Sequence, residues 1–176
     1  MMKNLTLYLS VMMLMLLSAC GSTTNIPREK VNALLQSGEF TFMAQRAVPT
    51  NFDVVNVMNS LPNSSSTRML QLDYGYTIRL KSNELLVELP YFGRMYTPSY
   101  DTSKNSYRFT SKDFSLVQAE GKKGSRIYTI SPNDNNEVRR IIIEVFANGK
   151  AYVSIDSNDR QPISYDGYIM ENPVTP

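Results

Sequence analysis

Five aromatic residues, Tyr91, Phe92, Tyr96, Tyr100 and Tyr107, fall within seventeen positions, with Arg94 among them and Arg108 directly after. A tyrosine presents an apolar ring and a polar tip, which suits stacking on a sugar or covering a partner. The segment Leu89-Pro90-Tyr91-Phe92-Gly93 leaves an extended run, and proline and glycine there mark a sheet edge or a bend. The same aromatics therefore also read as a plug that closes a core. Arg160 and Tyr165 form a second such grouping, in which the arginine satisfies loop carbonyls at a corner. Tyr91, Phe92, Arg94, Tyr96, Arg160 and Tyr165 are thus the candidate surface for a ligand or partner.

Other chemistry finds little material. The chain has 176 residues, no His and one Cys. That removes the commonest general base, Ser-His and Cys-His nucleophiles, and zinc sites of the usual kind. Asn133-Asp134-Asn135-Asn136-Glu137 is rich in hard oxygen ligands but lacks the spacing and glycine of a calcium-binding EF-hand loop, and reads as a solvated turn. No glycine-rich phosphate loop is present. Two carboxylates at a set separation can cleave a glycoside, and Asp73, Glu84, Glu88, Asp101, Asp113, Glu120 and Glu144 are the acids to inspect. Most of them lie next to turns or on polar strand faces. A net charge of +2 does not suit a nucleic-acid binder that works by counterion release. No catalytic residue, cofactor or metal ligand is assigned.

The N-terminus carries a different kind of signal. Lys3 precedes LTLYLSVMMLMLL over residues 5–17. As a helix this run is about 20 Å long, against a bilayer core of about 30 Å, so it reads as a secretory leader rather than a span. Leu17-Ser18-Ala19-Cys20 resembles the bacterial lipobox. That resemblance implies cleavage before Cys20 and acylation of its thiol and new amino group, and more than one acyl chain holds a protein stably at a membrane. The organisation expected is a leader over 1–19, a lipidated Cys20 and tether over 20–26, and one domain over 27–172.

The elements that must position the candidate surface come next. Pro27 to Ser37 reads as a short helix with Val31, Leu34 and Leu35 on one stripe and Gly38 as its stop. Everything after Phe40 reads as strand and turn. A hairpin over Tyr76–Leu89, turning at Ser82-Asn83, sets Ile78 and Leu80 opposite Val87 and Leu85 on one apolar face. A second over Arg139–Asp156 turns at Asn148-Gly149 as a two-residue loop. In that register both faces are apolar, and Glu144 lies opposite Val153 as a charge at a rim or paired with arginine. Weaker strand signals are Phe40–Ala47, Val54–Met58, Met69–Asp73, Tyr107–Thr110, Phe114–Ala119, Arg126–Ile130 and Ile163–Ile169. The fold class is all-β, mainly antiparallel: a single sandwich or barrel-like sheet with one short N-terminal helix.

These landmarks resemble an uncharacterised lipoprotein family of the Bacteroides type, built on domain of unknown function 4251. The carrying residues are FMAQRAVP at 42–49, LPYFGRMY at 89–96, FTSKDF at 109–114, KKG at 122–124, NGKA at 148–151 and DRQPISYDGYI at 159–169. The chain departs from the pattern at Ser125-Arg126, where Gly-Trp is the family form, which puts in doubt any role for an aromatic after the basic turn. The resemblance implies a lipoprotein with a compact, mostly β domain and implies no activity.

The function expected is a lipid-anchored cell-envelope protein, attached to the outer membrane through Cys20 and facing the periplasm. It acts as a non-enzymatic binding or scaffold module toward an envelope glycan, lipid or protein. The alternatives are a carrier of a glycan or lipid, and a two-carboxylate hydrolase.

Overall fold

The computed structural model describes residues 26–62, 65–96 and 105–173. The leader, Cys20 and most of the tether lie outside the described residues, as do Tyr100 and Asp101. In chain order the elements are α1 (Arg28–Ser37), β1 (Phe40–Pro49), α2 (Phe52–Ser60), α3 (Ser66–Met69), β2 (Thr77–Lys81), β3 (Glu84–Pro90), β4 (Ser106–Ser111), β5 (Phe114–Glu120), β6 (Arg126–Pro132), β7 (Val138–Val145), β8 (Lys150–Ser157) and β9 (Ile163–Met170). The strands form one antiparallel sheet ordered β4-β3-β2-β1-β9-β8-β7-β6-β5, curled into a nearly closed barrel.

The first hairpin pairs as its residue pattern requires. Ile78 faces Val87 and Leu80 faces Leu85, all four fully buried, while Lys81 faces Glu84 outside. The second hairpin corrects the sequence reading by one residue. Val145 pairs with Ala151, Ile143 with Val153 and Ile141 with Ile155. The cause is the loop. The Gly149 N–H donates to the Phe146 carbonyl and the Phe146 N–H to the Lys150 carbonyl, with Gly149 at φ 80°. This is a three-residue turn with a left-handed glycine, not a two-residue one. The slip gathers Ile141, Ile143, Val145, Val153 and Ile155 onto one buried face and removes the second apolar face. It also places Glu144 outside, opposite Tyr152, where it accepts a 2.7 Å hydrogen bond from Ser125 Oγ.

Two other expected strands do not form as strands. Val54–Met58 lies inside α2, where Asn51 caps the N-terminus by accepting from the Asp53 N–H at 2.8 Å. Met69–Asp73 is the end of α3 followed by a single bridge from Gln71 to Arg46.

The closure of the barrel follows from parity. Every neighbouring pair is antiparallel, so β4 and β5, first and ninth in the order, run the same way. Only Lys112 and Asp113 separate them. Two residues span at most about 7 Å, whereas returning along the seven residues of β5 would require about 23 Å. The two sheet edges are therefore consecutive halves of one kinked strand. The Asp134 carboxylate braces the kink by accepting from Ser111 Oγ and from the Lys112 and Asp113 N–H groups.

Side chains of β1–β3 and β6–β9 fill the interior, among them Phe40, Phe42, Ile130 and Tyr165 with no exposure. Helix α1 lies at the end that carries the β2–β3 and β7–β8 turns. Val31 packs over Gly149, Leu35 accepts from the Tyr128 hydroxyl at 3.1 Å, and Lys30 pairs with Glu171. Ile26, the first described residue, touches the same turn. The loops after β3 and β8 and helix α2 lie at the opposite end, one strand length of about 26 Å away.

Candidate functional site

The candidate residues meet at the far end of the barrel, but they divide into two layers. The inner layer is built around Arg160, which has no exposed surface. Its guanidinium lies against the rings of both Tyr91 and Tyr107, with centroids 5.2 and 5.0 Å away, and the two rings meet edge to face at 5.7 Å. Nε and Nη2 both donate to the Asp159 carboxylate at 2.9 Å, and Nη2 also reaches Glu137 at 3.4 Å. A buried cation is thereby paired, hydrogen-bonded and in cation–π contact, which offsets its desolvation. Tyr107 shares a 2.9 Å hydrogen bond with Ser157.

Tyr91 and Tyr165 complete this corner. The Tyr91 hydroxyl donates to the carbonyls of Arg94 and Gln161, and the Tyr165 hydroxyl donates to the Pro90 carbonyl at 2.7 Å. Burial pushes the Tyr91 phenol up to about 12, and burial raises Tyr107 and Tyr165 as well. Tyr91, Arg160 and Tyr165 are thus an aromatic plug, as one of the two sequence readings holds. They are not open to a ligand.

The outer layer rests on that plug. Residues 94–96 bridge 159–161 through Gln161 N–H to the Arg94 carbonyl and Tyr96 N–H to the Asp159 carbonyl, at 3.0 and 2.9 Å. Gly93 is required here, because an added Cβ would stand 2.3 Å from the Tyr91 hydroxyl. Arg94 and Tyr96 face solvent, Tyr96 with 61% of its surface exposed, and Phe92 is half-buried. Beside them stands α2, held by Thr50 Oγ1 donating to the Pro162 carbonyl and by Asn51 Nδ2 donating to Gln161 Oε1. Its exposed side includes Phe52 at 82% and Val57.

Two shallow concavities meet at Asn51. One, of about 360 Å³, is lined by Asp53, Val54, Val57, Met58, Gly93 and Arg94. The other, of about 330 Å³, lies among Phe52, Tyr96, Gln161 and Pro162. The candidate site is therefore Arg94 and Tyr96 together with α2. Sequence reasoning missed α2 because its apolar run was read as a strand. The signals for a helix were an Asn-x-Asp start and Val54, Val57 and Met58 at i, i+3 and i+4.

Among the described residues, four of the candidate acids are engaged separately. Glu84 pairs with Lys81, Glu88 with Arg108, and Glu144 with Ser125. Asp113 accepts from Asn133. Of four surface concavities among the described residues, none is lined by more than one carboxylate. No group of three or more acids or cysteines placed to hold a metal ion occurs among the described residues. In the 133–137 loop, Asn135 Oδ1 accepts from the Glu137 and Val138 N–H groups and Asp134 braces the kink, so these oxygens shape the turn. No helix among the described residues is long and apolar enough to cross a membrane.

Comparison with known proteins adds a family and a fold. None of the curated proteins matches the chain. A crystal structure of a DUF4251 family protein from Bacteroides eggerthii aligns over 82% of this chain and 87% of its own, with a TM-score of 0.50 and 12% identity. At that identity the likeness concerns the fold alone. The family model described as Domain of unknown function (DUF4251) matches residues 26–169, and the chain belongs to that family.

Proposed function

We propose that this protein is a lipid-anchored lipoprotein of the cell envelope, held in the outer membrane by Cys20 and facing the periplasm. Its barrel serves as a non-enzymatic binding module for an envelope glycan, lipid or protein. The observation that carries the binding role is the outer layer at the far end. Phe52, Val57 and Tyr96 stand exposed beside Arg94, around two adjoining concavities, on a base made rigid by the Arg160 corner. Exposed aromatics flanked by an arginine are the composition of recognition surfaces. The lipid anchor is supported by the apolar run and the Leu17-Ser18-Ala19-Cys20 motif. Ile26 lies at the end of the barrel opposite α2, so a tether attached there leaves the surface uncovered.

Two experiments test this. Cys20→Ala removes incorporation of labelled fatty acid, and undiminished labelling refutes the anchor. Solubilised envelope fractions shift the amide resonances of residues 51–57 and 93–96 in the wild type and not in Phe52→Ser/Tyr96→Ser. Unshifted resonances in the wild type refute the surface.

A further inference from the structure

The two concavities at the far end differ in chemistry. One carries both Asp53 and Arg94 among aliphatic side chains. The other, between Phe52 and Tyr96, has no charged side chain in its lining, and its remaining walls are Thr50, Asn51, Gln161 and Pro162. Helix geometry separates the two. At 3.6 residues per turn, Phe52 and Val57 project about 140° apart around α2. Phe52 therefore turns away from the aliphatic side of the helix, where Val57 lines the charged concavity, and toward Tyr96.

The neutral concavity is braced and still has hydrogen-bonding capacity to spare. Thr50 Oγ1 donates to the Pro162 carbonyl at 2.6 Å, Asn51 Nδ2 to Gln161 Oε1 at 3.3 Å, and the Gln161 N–H to the Arg94 carbonyl at 3.0 Å. Separate segments are thus fixed to one another before a ligand arrives, which lowers the ordering cost of binding. Gln161 Nε2 and the Tyr96 hydroxyl make no hydrogen bond among the described residues, and the Phe52 and Tyr96 rings are both exposed.

Flat apolar rings beside an amide and a hydroxyl, with no charge, complement a neutral sugar. A pyranose presents a face of C–H groups that stacks on an aromatic ring, and a rim of hydroxyls that pair with amide and hydroxyl groups. A phospholipid finds no such match. Its phosphate meets no cation in this lining, and a shallow concavity of about 330 Å³ does not enclose an acyl chain.

We infer that the concavity between Phe52 and Tyr96 binds a neutral glycan, by stacking on these two rings and by hydrogen bonds from the Gln161 amide and the Tyr96 hydroxyl. The assignment rests on the reading of the far end as a binding surface and narrows that reading to one ligand class.

The test uses the full chain in detergent, with the amide resonances of residues 50–52, 96 and 161 as the readout. A solubilised envelope fraction is added untreated, after protease digestion, or after deglycosylation with anhydrous trifluoromethanesulfonic acid, which cleaves glycosidic bonds and spares peptide bonds. The untreated and digested fractions shift these resonances, and the deglycosylated one does not. Dihexanoylphosphatidylglycerol, a soluble phospholipid, leaves them in place. Phe52→Leu and Tyr96→Leu keep apolar bulk but remove a flat ring, and each raises the titration midpoint by roughly tenfold. Phe52→Tyr keeps a ring and titrates as the wild type. Both positions are exposed, so the fold is unaffected. A shift that survives deglycosylation, is lost on digestion or is produced by the phospholipid overturns the glycan assignment and leaves the binding surface standing, as do leucine variants that titrate like the wild type. An untreated fraction without effect overturns both.

Discussion

Replacing Arg160 by Met tests the corner on which the outer layer rests. The substitution keeps an apolar stem and removes the guanidinium. It deletes two 2.9 Å hydrogen bonds to Asp159, the contact to Glu137 and both cation–π contacts. Charge-assisted hydrogen bonds are worth about 1.5–3 kcal/mol each and each cation–π contact about 0.5–2 kcal/mol. The full sum does not apply, because the side chains of Asp159 and Glu137 are 26% and 50% exposed and regain water when the arginine is gone. The loss expected is about 3–5 kcal/mol, the scale for breaking a buried pair from one side. For a domain of this size that lowers Tm by about 6–20 °C. Because the chain has no Trp, far-UV circular dichroism in urea and on heating is the suitable probe. Arg160→Lys keeps the charge but not the two-pronged geometry and loses about half as much. A loss below about 1 kcal/mol in Arg160→Met would show that the corner does not hold the loops, and the division into plug and surface would fall with it.

Two further outcomes follow from the same geometry. Tyr91 ionises at about 12 in the fold, and Tyr107 and Tyr165 are also raised, whereas in the unfolded chain tyrosine ionises near 10. The unfolded state thus loses protons first. Stability is full below about pH 10 and falls as pH rises toward and through 12, by up to about 1.4 kcal/mol per pH unit for each tyrosine. Urea melts at pH 9 and pH 11 measure the drop, and equal midpoints would contradict it. Gly167→Ala brings a Cβ to 2.1 Å from the Met43 carbonyl and 2.8 Å from the Phe42 ring, opposite the bulge in β1. It costs about 3 kcal/mol or more, and a urea midpoint equal to that of the wild type would contradict that close approach.

Alternating apolar residues made most of the sheet legible. In Tyr76–Leu89 one face alone was apolar, so a single register was available and the structure has it. At Asn148-Gly149 the residues named a turn but not its length. Two- and three-residue loops both accept a left-handed glycine, and one residue decides which side chains are inside. Helix α2 was hidden because β-branched valines suit strands by propensity, and only the Asn51 cap and the i, i+3, i+4 spacing argue otherwise. The candidate site was half legible. Arg160, Tyr91 and Tyr165 could be grouped by type, but their burial depends on Asp159, Glu137 and Tyr107, which reach Arg160 from three different segments. No local pattern announces such a convergence. The kinked β4–β5 strand was equally silent, since it follows from the parity of nine strands.

The pairing of β1 with β9 sets the order in which the chain can be completed. Thr41 bonds in register with Met170, so the first strand finds its second neighbour only when the last strand has emerged. Contacts of such long sequence separation slow folding. A chain delivered N-terminus first must therefore wait with β1 open on one side until its final residues arrive. Removal of the last dozen residues would leave two interior strands, β1 and β8, as raw edges, and the truncated product would be a substrate for proteases and a seed for aggregates rather than a smaller version of the same molecule.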